Sequence, residues 1–432
     1  MLKREIGKWD LVLLLINSLI GAGIFGLPSK IFALSNWYSI PALFITAAIV
    51  LILVLNFAEV GSRFTKTGGP YLYTLEAFGR FPAFLMGWLL LITRLATFAA
   101  LVNILPTYFG FFYPELDSFS GKTGIIFFIT LFFTVINYRG IKNTTKWNNG
   151  LAIGKLIPLL IFIMVGLFFI QKENVAIPNK LPEINALSQS IFLLIFAFTG
   201  FEAIIVSTGE IKNPSKNIPF ALVLSLFIVS VFYGLIQFVS IGTLSNLAQS
   251  EKPLADAAFL FMGNAGAILI TLGVLISVSG TLNTVVLVGG RIPFALAAEK
   301  QLPAGLSKIH TKFSTPARSI VLFSVLAFIV SISGTFIYAI TISVISKVMI
   351  FLIVSASLLR LRLFKKSQTD FFKLHYGKLS AWVGIALSIT LLSSSKMVEF
   401  RDVGYTLLIG AVIYFLVYLF RIKGKIKTRE NL

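Results

Sequence analysis

The chain has 432 residues, 57% of them hydrophobic and only 12% charged, with a formal net charge of +20 at pH 7. Soluble domains carry roughly 25% charged residues, so a chain this long and this poor in charge is not a string of soluble domains. Cysteine is absent and the two histidines, His310 and His375, fall in separate polar segments, which excludes disulfides, thiolate chemistry and a histidine metal cluster.

A bilayer core is about 30 Å thick and a helix rises about 1.5 Å per residue, so one crossing needs about 20 apolar residues. Apolar runs of that length recur from Leu11 to Leu419. They predict spans at residues 10–34, 40–62, 82–109, 123–138, 148–171, 187–208, 218–243, 262–289, 317–332, 335–359, 379–396 and 403–421. The expected fold class is therefore all-α, with about twelve transmembrane helices in a single membrane domain over residues 1–432. The start, with Lys3, Arg4 and Lys8 before Leu11–Ile20 and then Gly21-Ala22-Gly23, imitates a cleavable signal. Cleavage would leave another apolar segment, Ile24–Leu34, with nothing polar to export, so the segment is read as the first span.

A charge of +20 can suggest a nucleic-acid partner, but its distribution does not. With the N-terminus in the cytoplasm, 27 of the 37 lysines and arginines fall on cytoplasmic segments, 7 outside and 3 within spans. That is the positive-inside bias of a membrane protein, and it predicts that both termini are cytoplasmic. No nucleic acid is expected, the bilayer is the solvent of the core, and no oligomeric state is implied.

Two spans are interrupted in the same way. The first reads Asn17-Ser18-Leu19-Ile20-Gly21-Ala22-Gly23-Ile24-Phe25-Gly26-Leu27-Pro28, and the sixth reads Phe196-Ala197-Phe198-Thr199-Gly200-Phe201-Glu202. Each opens a block of five spans, so an odd count turns the second block over relative to the first. Interrupted helices at corresponding places in two halves point to an inverted repeat around a site at the bilayer midplane. The expected division is 5–173 for the first repeat, 185–360 for the second, and 361–432 for a cytoplasmic loop, two accessory spans and a basic tail. Close packing of helices through small residues is the competing account of the glycines. Their clustering, and the Pro28 that follows, favour broken helices.

Five charged residues lie inside predicted spans. Glu59 is close enough to a cytoplasmic end to snorkel. Arg94 and Lys347 are deeper, about 18 Å in at helical rise, where a charge must face the bundle and find a partner. Lys155 and Glu202 complete the set. Glu210-Ile211-Lys212-Asn213-Pro214 reads as a solvated loop that stops a helix. No GxxxxGK[ST] sequence occurs, which argues against an ATP-driven pump, and no cofactor or metal site is expected.

Four segments resemble the amino acid–polyamine–organocation superfamily. GAGIFGLPS at Gly21–Ser29 is similar to its first-span signature. Gly68-Gly69-Pro70-Tyr71, with Gly87-Trp88 and Thr93-Arg94, resembles the region around its third span. FAFTGFEAIIVSTGEIKNPSKNIP at Phe196–Pro219 looks like its sixth span and following loop. Gly290-Arg291 through Leu302-Pro303 resembles the loop after its eighth. The resemblance runs from about residue 5 to about 422. It implies a 5+5 inverted repeat of the leucine-transporter type plus two accessory helices, in a secondary transporter of amino acids or related amines, and not an enzyme.

Physical chemistry gives the breaks a role of their own. Unwinding a helix in lipid frees N–H and C=O groups that must find partners, and a zwitterionic amino acid can satisfy both kinds. The backbone at Gly21, Ala22, Gly23 and Ile24 is expected to hold the carboxylate, with carbonyls around Leu19, Ile20, Phe196 and Ala197 taking the amine. Phe198, Thr199 and Gly200 would shape the side-chain pocket, with core packing the equal alternative for Phe198. The resemblance implies that an aromatic at Phe196 covers bound substrate. It also matches Lys155, in Gly154-Lys155-Leu156-Ile157-Pro158, with a fifth-span lysine that takes the place of a cation in sodium-coupled relatives. Burial disfavours the charged form of an ionisable group, so Lys155 and Glu202 are the proton-coupling candidates; Arg94, Lys347 and Glu59 have no assigned role. Small apolar residues around the breaks favour neutral amino acids, with a cationic amino acid or polyamine antiporter as the alternative and a channel as the alternative of a different class.

Overall fold

The computed structural model describes residues 2–103, 105–106, 118–178, 181–333, 336–364, 371–393 and 397–430; the side chains of Ala22 and Phe196 are outside this description. The predicted ends of the third span, at 107–109, and of the eleventh, at 394–396, fall outside it as well. Every other predicted span corresponds to a helix or to a helix broken once.

The first span is Lys8–Leu19, a single turn at Ala22–Phe25, and Leu27–Ser35. Pro28 stands in the first turn of the last piece, where its missing N–H costs nothing. The second span is Ser39–Ser62, the third Arg80–Val102, the fourth Phe119–Tyr138 and the fifth Ile141–Gly166. The sixth is again broken, into Ile184–Ala197, Phe201–Ile204 and a tighter turn at Ile205–Glu210. Pro214–Thr243, Pro253–Gly289, Ala317–Ile332, Phe336–Phe364, Gly377–Ser393 and Met397–Glu430 complete the series. Seven described stretches are long and apolar enough by themselves to cross a membrane, and the shorter helices are apolar too. The stretch Pro253–Gly289 is two helices that meet at a kink at Gly263 (φ 62°, ψ −152°), so the continuous helix of the eighth span starts beside its predicted boundary at 262 and the preceding piece from Pro253 is an addition to it.

The core is assembled from pairs of spans. The fifth packs on the eighth, and the third on the tenth; the first packs on the seventh, and the second on the sixth. The fourth and ninth pack on each other, and the seventh on the second. Large apolar side chains on the outer faces, such as Phe128, Phe168, Phe227 and Leu416, remain exposed, as expected where the solvent is lipid.

The remaining segments tie one end of the bundle together. Backbone bonds join Ile6 N–H to Glu210 O (3.0 Å) and Lys212 N–H to Ile6 O (2.9 Å), while Gly68 N–H reaches Val206 O at 2.8 Å. Two charged residues are corrected here. Glu210 is fully buried, not solvated, and Arg291 grips it with two bonds of 2.8 and 3.0 Å. Glu59 does not snorkel: it is also fully buried, and it accepts from Arg63 at 2.8 Å, from Arg362 at 2.8 and 2.5 Å, and from Leu374 N–H at 3.0 Å. Burying a carboxylate is tolerable only when its lone pairs are met by such partners.

Candidate functional site

The two breaks touch. Gly200 adopts φ +123°, and a Cβ there would lie 2.5 Å from Ser18 O, so only glycine fits the crossing without strain. Ser18 Oγ donates to Gly200 O at 2.8 Å. Tyr233, on the seventh span, places its hydroxyl within reach of Leu19 O (3.1 Å) and Ala197 O (3.3 Å), sharing its one proton between a carbonyl from each break. Unwound backbone from both spans is thus brought to one place, deep inside the bundle.

Lys155 secures the first break. It is fully buried, and its Nζ donates to Asn17 O at 2.9 Å and to Ile20 O at 2.5 Å. Two hydroxyls of the eighth span join it, Ser277 on Ile20 O (3.1 Å) and Thr281 on Asn17 O (3.3 Å). Four donors from the fifth and eighth spans therefore replace the helical N–H groups that the break removed. This arrangement alters the expected division of labour among the carbonyls. Ile20 O already accepts from Lys155 and Ser277, and Leu19 O from Tyr233 and from Gly21 N–H, so both lone pairs of each are engaged. Ala197 O, among the described residues, accepts from Tyr233 alone and keeps a lone pair for a ligand amine.

The other half of the break is open. Gly21 is extended (φ −90°, ψ −164°) ahead of the turn Ala22–Phe25, so the leading N–H groups of that turn have no preceding carbonyl to bond. A Cβ built on Gly21, Gly23 or Gly26 would meet nothing within 4 Å. Gly23 is exposed, whereas Ile24 is buried. Leading N–H groups of a turn beside open space suit an anion such as a carboxylate, although the N–H of Gly21 itself already bonds Leu19 O at 3.0 Å.

On the sixth span, Phe198 is fully buried and leans on Tyr233 at a ring separation of 5.3 Å, the packing that was its equal alternative to a place in the pocket. Glu202 is spoken for on both oxygens, Oε1 by Arg94 Nη2 (2.8 Å) and Oε2 by Gly200 N–H (2.8 Å). Arg94 is thus the partner of a carboxylate on the break, and Lys347 reaches Thr199 Oγ1 at 3.3 Å. Sequence reasoning missed Asn17, Tyr233, Ser277 and Thr281. Ser277 and Thr281 stand four apart in an apolar helix and so share a face, which is the one signal the sequence offered for them.

Comparison with known proteins bears on this geometry. The family model described as amino acid permease matches residues 6–420. The chain is 34% identical to the serine/threonine exchanger SteT of Bacillus subtilis, over 73% of each chain. It is 28% identical to the methylthioribose transporter of the same organism, over 76% of this chain and 74% of the relative. With the branched-chain amino acid permease BcaP, also of Bacillus subtilis, it shares 29% identity over 73% of this chain and 71% of the relative.

Proposed function

The chain belongs to the amino acid permease family, and from that premise we propose that it carries neutral amino acids by alternating access, coupled to protons or by exchange. It is a multi-pass membrane transporter of amino acids and not an enzyme. The observation that carries the proposal is the division of the first break: Lys155 and the eighth-span hydroxyls hold its carbonyls, while its glycines have open space where a Cβ would stand. The substrate carboxylate binds at Gly21–Ile24, and the amine takes the acceptor capacity left at Phe196 and Ala197, with Leu19 and Ile20 available to it only by displacing a donor they already hold. The names of SteT and BcaP speak of serine, threonine and branched-chain amino acids, none with an ionised side chain, which supports neutral substrates over cationic amino acids or polyamines.

The repeats are residues 5–173 and 185–360, oppositely oriented. Reciprocal packing supports this. Exchanging each span of one block for its counterpart turns the pair five–eight into ten–three and the pair one–seven into six–two, and all four pairs pack. Both termini are cytoplasmic, and the protein resides in the cell membrane.

Proton coupling would run through Lys155, with Glu202 as the second candidate. A protonated Lys155 holds Asn17 O and Ile20 O; an unprotonated one holds them less well, and that difference between access states is what a coupled ion needs. Proteoliposomes provide the test. Uptake by the wild type should be saturable, selective for the L-isomer, independent of sodium and responsive to an imposed pH gradient. Lys155→Ala should lose the gradient response while keeping some substrate binding. A strict sodium requirement would defeat the lysine mechanism, and uptake that never saturates would indicate a channel.

A further inference from the structure

The bundle interior holds more positive than negative charge beside the second break. Arg94 and Glu202 form a pair at 2.8 Å, with side-chain exposures of 4% and 0%. Both oxygens of Glu202 are then used, by Arg94 and by Gly200 N–H. Lys347 is a further cation whose field reaches Glu202. Its own hydrogen bond goes to the hydroxyl of Thr199, next to Gly200, at 3.3 Å. The cluster as a whole carries two cations and one anion.

The cluster itself has unmet hydrogen-bonding capacity: Arg94 Nε is buried without a partner among the described residues. Arg94 itself is 3% exposed, whereas Lys347 is only partly buried. An uncompensated ammonium at this depth is costly unless something polar or anionic meets it. Gly200 meets Ser18 of the first break, so the ammonium bonds to the residue that adjoins the contact between the two breaks.

We propose that Lys347 is the specificity-determining residue of the site, its ammonium selecting amino acids whose side chain ends in an oxygen acceptor and excluding those with a cationic side chain. This rests on the assignment of the breaks as an amino-acid site. A hydroxyl, amide or carboxylate oxygen accepts from the ammonium in competition with Thr199. An apolar side chain leaves it unmet, and a second ammonium is repelled in a medium of low dielectric. Sites built to hydrogen-bond a substrate group discriminate strongly against the isostere lacking it.

Threonine and valine are nearly isosteric and supply the test. Competition against uptake in proteoliposomes of the full chain should give L-threonine at least a tenfold lower half-inhibitory concentration than L-valine, with L-lysine inert. In Lys347→Met the threonine-to-valine ratio should collapse toward one. Thr199→Val, which removes the hydroxyl that positions the ammonium, should shrink the same ratio and serves if Lys347→Met does not fold. Equal inhibition by threonine and valine in the wild type, effective inhibition by lysine, or an unchanged ratio in both variants overturns the inference and leaves the amino-acid site standing. A wild type that no amino acid inhibits overturns both.

Discussion

At the scale of single residues, the molecule spends its polar side chains on backbone that cannot bond to itself. Tyr233 serves a carbonyl from each break, and Lys155 serves two from the first. Glu210 and Arg291 act similarly on charge, each with no exposed side-chain surface. Removing one member of such a buried pair strands the other, at a cost of about 3–5 kcal/mol. Arg291→Met should therefore lower the thermal unfolding temperature in detergent by several degrees. The double variant Arg291→Met with Glu210→Leu should recover much of the loss, since the stranded carboxylate is gone. If the double variant is less stable than the single one, the pair is not what the site needs. Of these residues, the sequence exposed Lys155, Arg94 and Glu202 as charges in apolar runs. It disguised Arg291 and Arg362 as ordinary cytoplasmic charge, because counting along the chain cannot see that each meets a buried carboxylate.

At the scale of elements, the two breaks use their glycines differently. Gly200 is a crossing point, at φ +123° with Ser18 O where a Cβ would be; a non-glycine residue held in such a conformation costs about 1–3 kcal/mol before any clash. Gly23 is a space-maker, with nothing within 4 Å of its would-be Cβ. Gly200→Ala should accordingly lower both yield and thermal stability. Gly23→Leu should fold with a near-normal melting temperature and lose substrate binding, because its side chain fills the space assigned to the carboxylate. Wild-type affinity in a well-folded Gly23→Leu protein would remove the carboxylate from that position. The breaks were legible because glycine clusters and proline are poor helix formers wherever they occur. The turn at Gly263 was not, since a lone glycine in an apolar run is usually tolerated within a helix.

At the scale of the whole molecule, orientation follows from charge. A reporter inserted after Lys146, in the first turns of the helix Ile141–Gly166, should read cytoplasmic, and one at Asn174 external, because the rest of that helix, residues 147–166, lies between them. Two reporters on the same side would contradict the span order. The end of the bundle joined by Glu210–Arg291, by the three arginine bonds to Glu59 and by the backbone link from Ile6 to Lys212 must loosen whenever that side opens. Those contacts join the first, second, sixth, eighth and tenth spans or their loops. A rigid-body movement of one proposed repeat against the other would break the backbone link from Ile6 to Glu210 and Lys212, whereas Glu210–Arg291 lies within the second repeat and Glu59–Arg63 within the first.

The sequence by itself determined the solvent of this protein, the number of its spans and the two places where a span breaks. Each of these is a local property: hydropathy summed over about 20 residues, or the presence of residues that cannot continue a helix. It also determined the family, since motifs are read in one dimension. Only the tertiary structure decided which groups answer one another. That the first break's carbonyls go to Lys155, Ser277 and Thr281, that Phe198 packs on Tyr233, and that Lys347 turns to Thr199 all depend on spans far apart in sequence. In lipid an unmet polar group finds no water to bond, so its partner must come from whichever span the packing brings near, and no local pattern records which one that is.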